Sequence, residues 1–209
     1  LEYLAVRGLR LLVPQTLVLD GLDDPVARGF QRALGTLSRA GAQITEAPLS
    51  ELRELAQINR LGGFSAAEAY ALHRGRLETS AAQYDPRVSV RILRGREQSA
   101  ADYIDLVHAR TAFQARINAQ LAPFDAVVMP ATPIIAPTLA ELASDAEYGR
   151  LNLLALRNPS VANFLDRCAL SLPCHEPGTA PVGLMLMGPN GADRRLLAIG
   201  AAVEELLQQ

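Results

Sequence analysis

Residues 124–133 read FDAVVMPATP, and this stretch decides the fold that the sequence predicts. Its apolar run ends at Met129 and is closed by Pro130, which is the pattern of a short buried strand. A proline-rich loop then continues to Pro137. In open α/β sheets, ligands bind beyond the carboxyl ends of strands, and a stiff loop presents its groups at little entropic cost. Thr132 in this loop is therefore a candidate binding residue, although the pattern alone equally allows a structural corner between a strand and a helix.

The residues before this strand predict a β-α-β unit. A short apolar run at residues 9–14 ends in proline and predicts a buried strand. Residues 23–25 then supply helix-capping aspartates and a proline suited to the first helical turn. The helix is expected to end at Gly41, and residues 42–46 predict the second strand. The apolar stripe of this helix consists of Val26, Phe30, Leu34 and Leu37.

Helices dominate the next part of the chain, and strands return after the proline-rich loop. Helices are predicted at residues 50–60, 65–78, 86–93 and 99–121. Ser65 with Glu68, and Ser99 with Asp102, have the spacing of a helix start. Further on, Pro159 is expected to open a helix that carries Cys168 on its apolar side. The remaining predicted elements are strands at 170–174 and 182–187 and a helix at 193–207. This alternation predicts a single α/β domain over residues 1–209 with a largely parallel sheet.

The composition argues against several classes of protein. A formal net charge of -2 gives no reason to expect a nucleic acid or a membrane surface as partner. No apolar run approaches the roughly 18 residues of a membrane-spanning helix, and no signal-peptide pattern is present, so we expect a cytoplasmic protein. All 20 basic residues are arginine, so no mechanism that needs a lysine base is available within these residues. Since the chain starts Leu1-Glu2-Tyr3 without methionine, we expect it to be a piece of a longer polypeptide.

The chain offers few candidates for catalysis. Cys174 and His175 are adjacent, and because neighbours along a strand point to opposite faces, a buried structural cysteine followed by a turn histidine is favoured over a reactive pair. The other histidines, His73 and His108, are far away in sequence and lack the spacing of a zinc site. No G-x-S-x-G elbow and no dinucleotide fingerprint is present. We therefore predict no metal site and no cofactor.

Several segments, taken in order, resemble the amidase-signature family. Residues 6–14 (VRGLRLLVP) are similar to the family's G-(L/M)-R-(I/L)-G-V-P strand, and residues 124–133 to its F-D-hydrophobic-P-T-x-P strand and loop. Residues 163–174 resemble its N-x-x-G-x-P-A-x-S-(L/V)-P segment. Residues 180–188 resemble P-V-G-(L/V)-Q-(L/I)-(I/M)-G, and residues 193–207 resemble its final helix. Two departures are Ala131, where the family often has threonine, and Met185, where it commonly has glutamine.

The resemblance implies the carboxy-terminal part of the amidase-signature fold, with a mixed, largely parallel β-sheet flanked by α-helices. It also implies a hydrolase of carbon–nitrogen amide bonds that uses a Ser–cis-Ser–Lys triad and a glycine-rich oxyanion loop. These catalytic groups belong to the amino-terminal half of the family's fold, so no catalytic residue is assigned here. The positions that the resemblance assigns to the far wall of the substrate cleft are Thr132, Pro133 and Ile134, together with Asn163 and His175.

We therefore expect this chain to be inactive alone and to meet a small-molecule amide substrate only together with the missing amino-terminal half. A half-enzyme should also expose an apolar face, through which we expect self-association. Two alternatives remain open from the sequence. One is a non-catalytic α/β module that binds a ligand or partner, and the other is an unrelated α/β enzyme with the same layer architecture.

Overall fold

The computed structural model describes residues 4–208, which form two compact units. The first unit contains the chain before residue 53 and after residue 115, and the second is Arg53–Ala115. The single domain that the sequence predicts for residues 1–209 stays a prediction. Within the described residues, no helix is both long enough and apolar enough to cross a bilayer.

The first unit is built on a mixed sheet of five strands, as the sequence predicts. Its strands are β1 (Arg10–Pro14), β2 (Gln43–Ala47), β3 (Ala126–Pro130), β4 (Ala169–Pro173) and β5 (Gly183–Met187). They lie in the order β2-β1-β3-β5-β4. β1 pairs in parallel with β2 and β3, whereas β5 is antiparallel to both β3 and β4. Four strands therefore run in one direction, and β5 alone runs in the opposite direction.

The helices agree with the predicted pattern in most places. They are α1 (Asp24–Arg39), α2 (Leu55–Ile58), α3 (Gly63–Ser80), α4 (Pro86–Leu93), α5 (Ala100–Leu121), α6 (Asp145–Leu165) and α7 (Asp193–Leu207). Short 3-10 helices occupy Ser50–Glu54, Ala81–Gln83 and Arg94–Glu97. The start of α5 forms the reciprocal capping box, since the Ser99 N–H donates to Asp102 Oδ2 (2.9 Å) and the Asp102 N–H donates to Ser99 Oγ (3.1 Å).

Alternate residues of each strand point to opposite sides of the sheet, and in the central strands both sets are mainly apolar. On one face, side chains such as Leu11 and Val128 join α1 and α7 in the main core cluster, where Phe30 and Ile199 are fully buried. On the other face the buried strand residues are Leu12, Val127, Met129, Met185 and Met187. Buried residues of α6 and of the last turns of α5 are Val161, Leu165, Ile117 and Leu121. The central strands are thus covered on both sides.

The hydrogen bonds of Asp125 explain why an aspartate directly precedes β3, the most buried strand. Its carboxylate accepts hydrogen bonds from the Arg10 backbone N–H (2.9 Å) and from the Arg195 guanidinium (2.9 Å). Burial alone raises the pKa of Asp125, but the hydrogen bonds from Arg10 and Arg195 outweigh it and lower the pKa below its ordinary value. Asp125 lies where β3 begins, so it stabilises the edge of the sheet opposite to the proline-rich loop.

Pro159 does not open a helix, which corrects the sequence-based prediction. It lies inside α6, which already begins at Asp145. The buried positions of α6 recur at Leu151, Asn158, Val161 and Leu165, with spacings of seven, three and four, so the buried side of the helix runs through the proline. A proline inside a helix removes one backbone hydrogen bond and disfavours the helix, which is why Pro159 predicts a boundary; in α6 the helix continues through it.

Three smaller predictions also differ from the structure. α3 begins at Gly63 after a left-handed Gly62, so Ser65 is not its cap. The predicted helix at 50–60 is a 3-10 turn followed by the single turn of α2. Cys168 was expected on the apolar side of a helix, but it follows α6 in a turn, half-buried, and its thiol donates to the Pro189 carbonyl (3.1 Å).

Candidate functional site

Four strands end at the same edge of the sheet, which we call the carboxyl edge. It consists of the residues that follow β1 (15–18), β2 (48–49), β3 (131–135) and β4 (174–176), together with the start of β5. Backbone and side-chain contacts join its segments. Gln15 donates from its backbone N–H to the Ala47 carbonyl (2.9 Å), and the buried Thr16 hydroxyl accepts from the Leu49 N–H (3.2 Å). The carboxyl edge is thus a continuous, ordered surface.

The proline-rich loop is held at this edge by the start of α1. The Asp23 backbone N–H donates to the Pro133 carbonyl (2.9 Å), and the Ile135 N–H donates to Asp23 Oδ2 (3.0 Å). Asp23 precedes α1 without capping it through its side chain. The residue predicted as a helix cap therefore serves to fix the loop.

A second anchor joins the loop to β5. The Ala131 N–H donates to the Gly183 carbonyl at 2.8 Å, one step beyond the β3–β5 pairing. Inside the loop, the Thr132 hydroxyl donates to the Ile134 carbonyl at 2.9 Å. Because the Thr132 proton is used within the loop, the hydroxyl is oriented with its lone pairs available to a donor. The loop is thus preorganised rather than loosely attached.

Asn158 of α6 provides the deepest anchor. Its side chain is completely buried, and its amide nitrogen donates to the Val18 carbonyl (3.0 Å) and to the Pro130 carbonyl (2.8 Å). Its oxygen accepts from Arg157 Nε (3.2 Å). A buried amide whose groups are paired in this way fixes the ends of β1 and β3 relative to each other. Asn158 is not among the residues that the sequence predicts for the site, because the predicted helix starts only at the following proline.

The three loop residues predicted for the substrate cleft differ in exposure. Thr132 is half-buried at the carboxyl edge, whereas Pro133 is buried and Ile134 is only 8% exposed. Of the three, Thr132 is thus best placed to present its side chain. The buried side chains of Pro133 and Ile134 instead contribute to the packing of the loop. Whether any of them meets a substrate stays a prediction.

His175 lies at the same edge, immediately after β4. Its ring is half-buried, and Nδ1 is buried without a hydrogen-bond partner in the described part of the chain. Arg32 of α1 holds this turn by donating to the Cys174 carbonyl (2.8 Å) and to Glu176 Oε1 (2.7 Å). A buried ring nitrogen without a partner is uncommon and calls for a physical explanation.

Cys174 has the properties of a structural residue, as the sequence favours. Its side chain belongs to the main core cluster, and burial raises the pKa of its thiol to about 11. Since the thiolate is the reactive form of cysteine, this thiol is a poor nucleophile at neutral pH. Gly29 of α1 packs so closely that a Cβ there would lie 3.1 Å from the Cys174 carbonyl oxygen.

Asn163 is the remaining predicted cleft residue, and it lies on the exposed side of α6. It is five residues beyond Asn158, which is about 7.5 Å farther along the helix axis at roughly 1.5 Å per residue. The helix thus carries it away from the anchored end of the loop. Its role in a substrate cleft stays a prediction.

At the carboxyl edge Thr132 presents a hydroxyl and His175 a ring nitrogen, and the guanidinium of Arg157 is linked to the residues after β1 through the Val18 carbonyl (3.3 Å). Arg157 is half-buried, and burial lowers its pKa while the nearby Asp20 opposes that change. Within residues 4–208, no three His, Cys, Asp or Glu side chains are grouped as a metal site would require. The geometry therefore suits one wall of a binding site.

Comparisons of the sequence with a family model and with known proteins agree on one protein family. The model of the family described as Amidase matches residues 2–197. The chain is 32% identical to 2-amino-5-chloromuconic acid deaminase from Comamonas testosteroni over 98% of its own length and 44% of that protein. It is 28% identical to a glutamyl-tRNA(Gln) amidotransferase subunit from Halobacterium salinarum, over 96% of this chain and 52% of that protein.

Solved structures agree on the fold. An allophanate hydrolase from Kluyveromyces lactis superimposes with a TM-score of 0.82 and 24% identity, over 96% of this chain and 32% of that one. A crystal structure of an amidase gives a TM-score of 0.78 and 24% identity, over 98% of this chain and 47% of that one. The chain thus spans about half the length, or less, of the relatives that it matches.

Proposed function

The chain belongs to the amidase family, and from that premise we propose that it is the carboxy-terminal part of an amidase that hydrolyses carbon–nitrogen amide bonds. The observation that carries this proposal is the extent of the match. The family model runs along residues 2–197, whereas the chain covers 44% of the deaminase to which it is 32% identical. A protein that accounts for one half of an amidase would need the other half to complete the site.

The residue types in the chain support the same assignment. The triad that the family resemblance implies needs a lysine, and none of the 209 residues is lysine. In this proposal, a separate segment of the parent protein supplies the triad and the oxyanion loop. The present chain contributes the sheet and one wall of the cleft, formed by Thr132, Pro133 and Ile134 of the loop and by His175 at the same edge, with Asn163 farther along α6. The partnerless Nδ1 of His175 supports a position beside a group from outside the described chain.

We propose a small-molecule amide as the substrate. The relatives differ in what their names specify, since one is a deaminase of a chlorinated amino acid and another belongs to an amidotransferase named for glutamyl-tRNA(Gln). A small substrate is favoured here because the net charge of -2 offers no electrostatic reason to bind a nucleic acid.

The outward side of α6 is our candidate for the surface that packs against the missing half. Leu153 and Leu156 are 71% and 50% exposed and lie one turn apart on α6. β4 lies at the edge of the sheet, so one side of its backbone is unpaired in the sheet. An exposed apolar helix face and an unpaired strand edge are both the kind of surface that another part of a domain covers.

We expect the 209-residue chain alone to self-associate through this helix face. The double variant Leu153→Glu with Leu156→Glu should reduce the apparent mass measured by multi-angle light scattering, because two charges would have to be buried in the contact. Leu197→Glu on α7 is the matched control, since Leu197 is also exposed (51%) but lies on another helix. A wild-type chain that is a monomer at all concentrations tested would contradict the proposal, as would an equal effect of both changes.

The direct test of function is an amide-hydrolysis assay that follows ammonia release from a panel of small amides. It compares the 209-residue chain with the product of its complete reading frame, including any upstream segment. We expect activity in the longer form and none in the short chain, because the triad lysine is absent here. Activity in the short chain would contradict the proposal that the catalytic triad lies outside this chain. If neither form releases ammonia, the alternative is favoured, namely a non-catalytic module that binds a ligand or partner.

A further inference from the structure

Arg157 is a half-buried cation that has only neutral hydrogen-bond partners. Its Nε donates to Asn158 Oδ1 (3.2 Å), and its NH2 group donates to the Val18 carbonyl (3.3 Å). Within residues 4–208, no carboxylate lies at salt-bridge distance from this guanidinium. Asp20 interacts with the Arg157 guanidinium electrostatically, without a hydrogen bond or a salt bridge. The side chain therefore carries a positive charge into the protein without an ion-pair partner.

Such an arrangement costs free energy unless a partner completes it. Charges taken out of water are normally paired, and a guanidinium has five N–H donors in a planar fork that matches a carboxylate. The two contacts of Arg157 use Nε and one of its terminal nitrogens. The donors on the remaining terminal nitrogen are left for an anion, and a carboxylate is the group that fits them best.

The position of Arg157 relates it to the carboxyl edge. Val18 follows β1, and Asn158, the neighbour of Arg157, holds the carbonyl of Pro130 at the end of β3. The guanidinium thus contacts the segment after β1 directly, and it is linked to the end of β3 and the Thr132 loop through Asn158. A ligand that reached both Thr132 and Arg157 would present a polar group to the hydroxyl and an anion to the guanidinium.

We propose that Arg157 binds a carboxylate of the substrate, so that the preferred substrates are small amides that also carry a free carboxylate. This inference rests on the proposed amidase function and adds a substrate class to it. Arg157 is a specificity-determining residue in this scheme and takes no part in bond cleavage.

Arg167 is a matched control within the same chain. It is also half-buried, its Nε donates to Asn118 Oδ1 (3.0 Å), and burial lowers its pKa. It follows α6 and precedes β4, so it lies at the opposite edge of the sheet. A general effect of removing a half-buried arginine would appear in both variants, whereas loss of a carboxylate site would appear only at position 157.

The test compares succinamate, which has an amide and a carboxylate, with succinamide, its neutral isostere. Binding is measured by isothermal titration for the wild type, Arg157→Met, Arg157→Lys and Arg167→Met, in the longest form of the protein that is folded by circular dichroism. We expect the wild type and Arg167→Met to prefer succinamate. Arg157→Met should lose roughly 10- to 100-fold in affinity for succinamate and little for succinamide, as expected for one charge-assisted contact. Arg157→Lys should retain part of the preference, because it keeps the charge and loses the fork.

The outcomes separate this inference from the proposed function. Preference for succinamate that depends on Arg157 supports the inference even if no ammonia is released, in which case the amidase proposal fails alone. Equal binding of the two probes by the wild type would overturn it. Equal losses for both probes in Arg157→Met would also overturn it and would indicate that Arg157 pairs with a protein carboxylate outside this chain. In a longer form of the protein that is active, Arg157→Met should raise the KM for succinamate and leave kcat nearly unchanged.

Discussion

Replacing Asn158 with leucine is expected to lower the free energy of unfolding by about 1–3 kcal/mol, since two buried carbonyls would lose the Asn158 donor and only one of them keeps another, the Arg157 guanidinium. The carbonyls are those of Val18 and Pro130, which accept from the Asn158 amide at 3.0 and 2.8 Å. Leucine has nearly the same size but cannot donate, so the loss is one of hydrogen bonding rather than of volume. The change should be visible as a lower midpoint in urea unfolding followed by circular dichroism.

Asn152→Leu is the control for this substitution. Asn152 is half-buried on the same helix, and its side chain has no hydrogen bond within residues 4–208. We expect its effect to stay within about 0.5 kcal/mol, as is usual for substitutions away from a polar network. If both variants unfolded at the same urea concentration as the wild type, the anchoring role of Asn158 would be wrong. A large loss in both would point to helix packing instead.

The strands and their common edge could largely be predicted from the sequence, and proline is the reason. β1, β3 and β4 each end in a proline, and Pro48 follows β2. Proline has no N–H to continue a ladder, so a strand tends to stop there. Because these four strands run in one direction, their prolines mark one edge of the sheet. Thr132 and His175 were both predicted close to such a proline, and both lie at that edge.

The anchoring and charged residues of the site could not be predicted in the same way. Asn158 and Arg157 lie inside α6, whereas the helix that the sequence predicts starts only at Pro159. Their partners beyond α6 are 28 to 140 residues away, and such contacts depend on the tertiary arrangement rather than on local periodicity. The order β2-β1-β3-β5-β4 likewise has no local signal, because the pairing of β3 with β5 passes over the whole of α6.

Gly183→Ala is the second substitution for which we expect a large effect, because it would disturb both the sheet and the loop. Gly183 begins β5, pairs with Pro173, and accepts the Ala131 N–H at 2.8 Å. A Cβ at this position would overlap Ser171 Oγ and would lie 2.9 Å from the Ala131 Cβ. The serine hydroxyl can rotate away, but Ala131 is held by the same hydrogen bond. The start of the loop must therefore move.

We expect Gly183→Ala to destabilise the chain by about 1–3 kcal/mol, the usual range for overpacking a well-packed site. Displacement of Thr132 should also lower kcat/KM in a longer, active form of the protein. Gly149→Ala on α6 is the control, because nothing lies within 4 Å of a Cβ there. It should be neutral or slightly stabilising, since alanine favours a helix over glycine by about 0.5–1 kcal/mol.

A compensating change separates steric displacement from other causes. Ala131→Gly removes the atom that a Cβ at position 183 would meet, so the double variant should recover part of the lost stability in urea unfolding. The coupling between the two substitutions should be at least about 0.5 kcal/mol, as for residues in direct contact. Strict additivity would mean that the loop does not depend on close packing between β5 and Ala131. In that case the glycine of the P-V-G segment would be needed for β5 itself, and the position of Thr132 would be set by Asn158 and Asp23 alone.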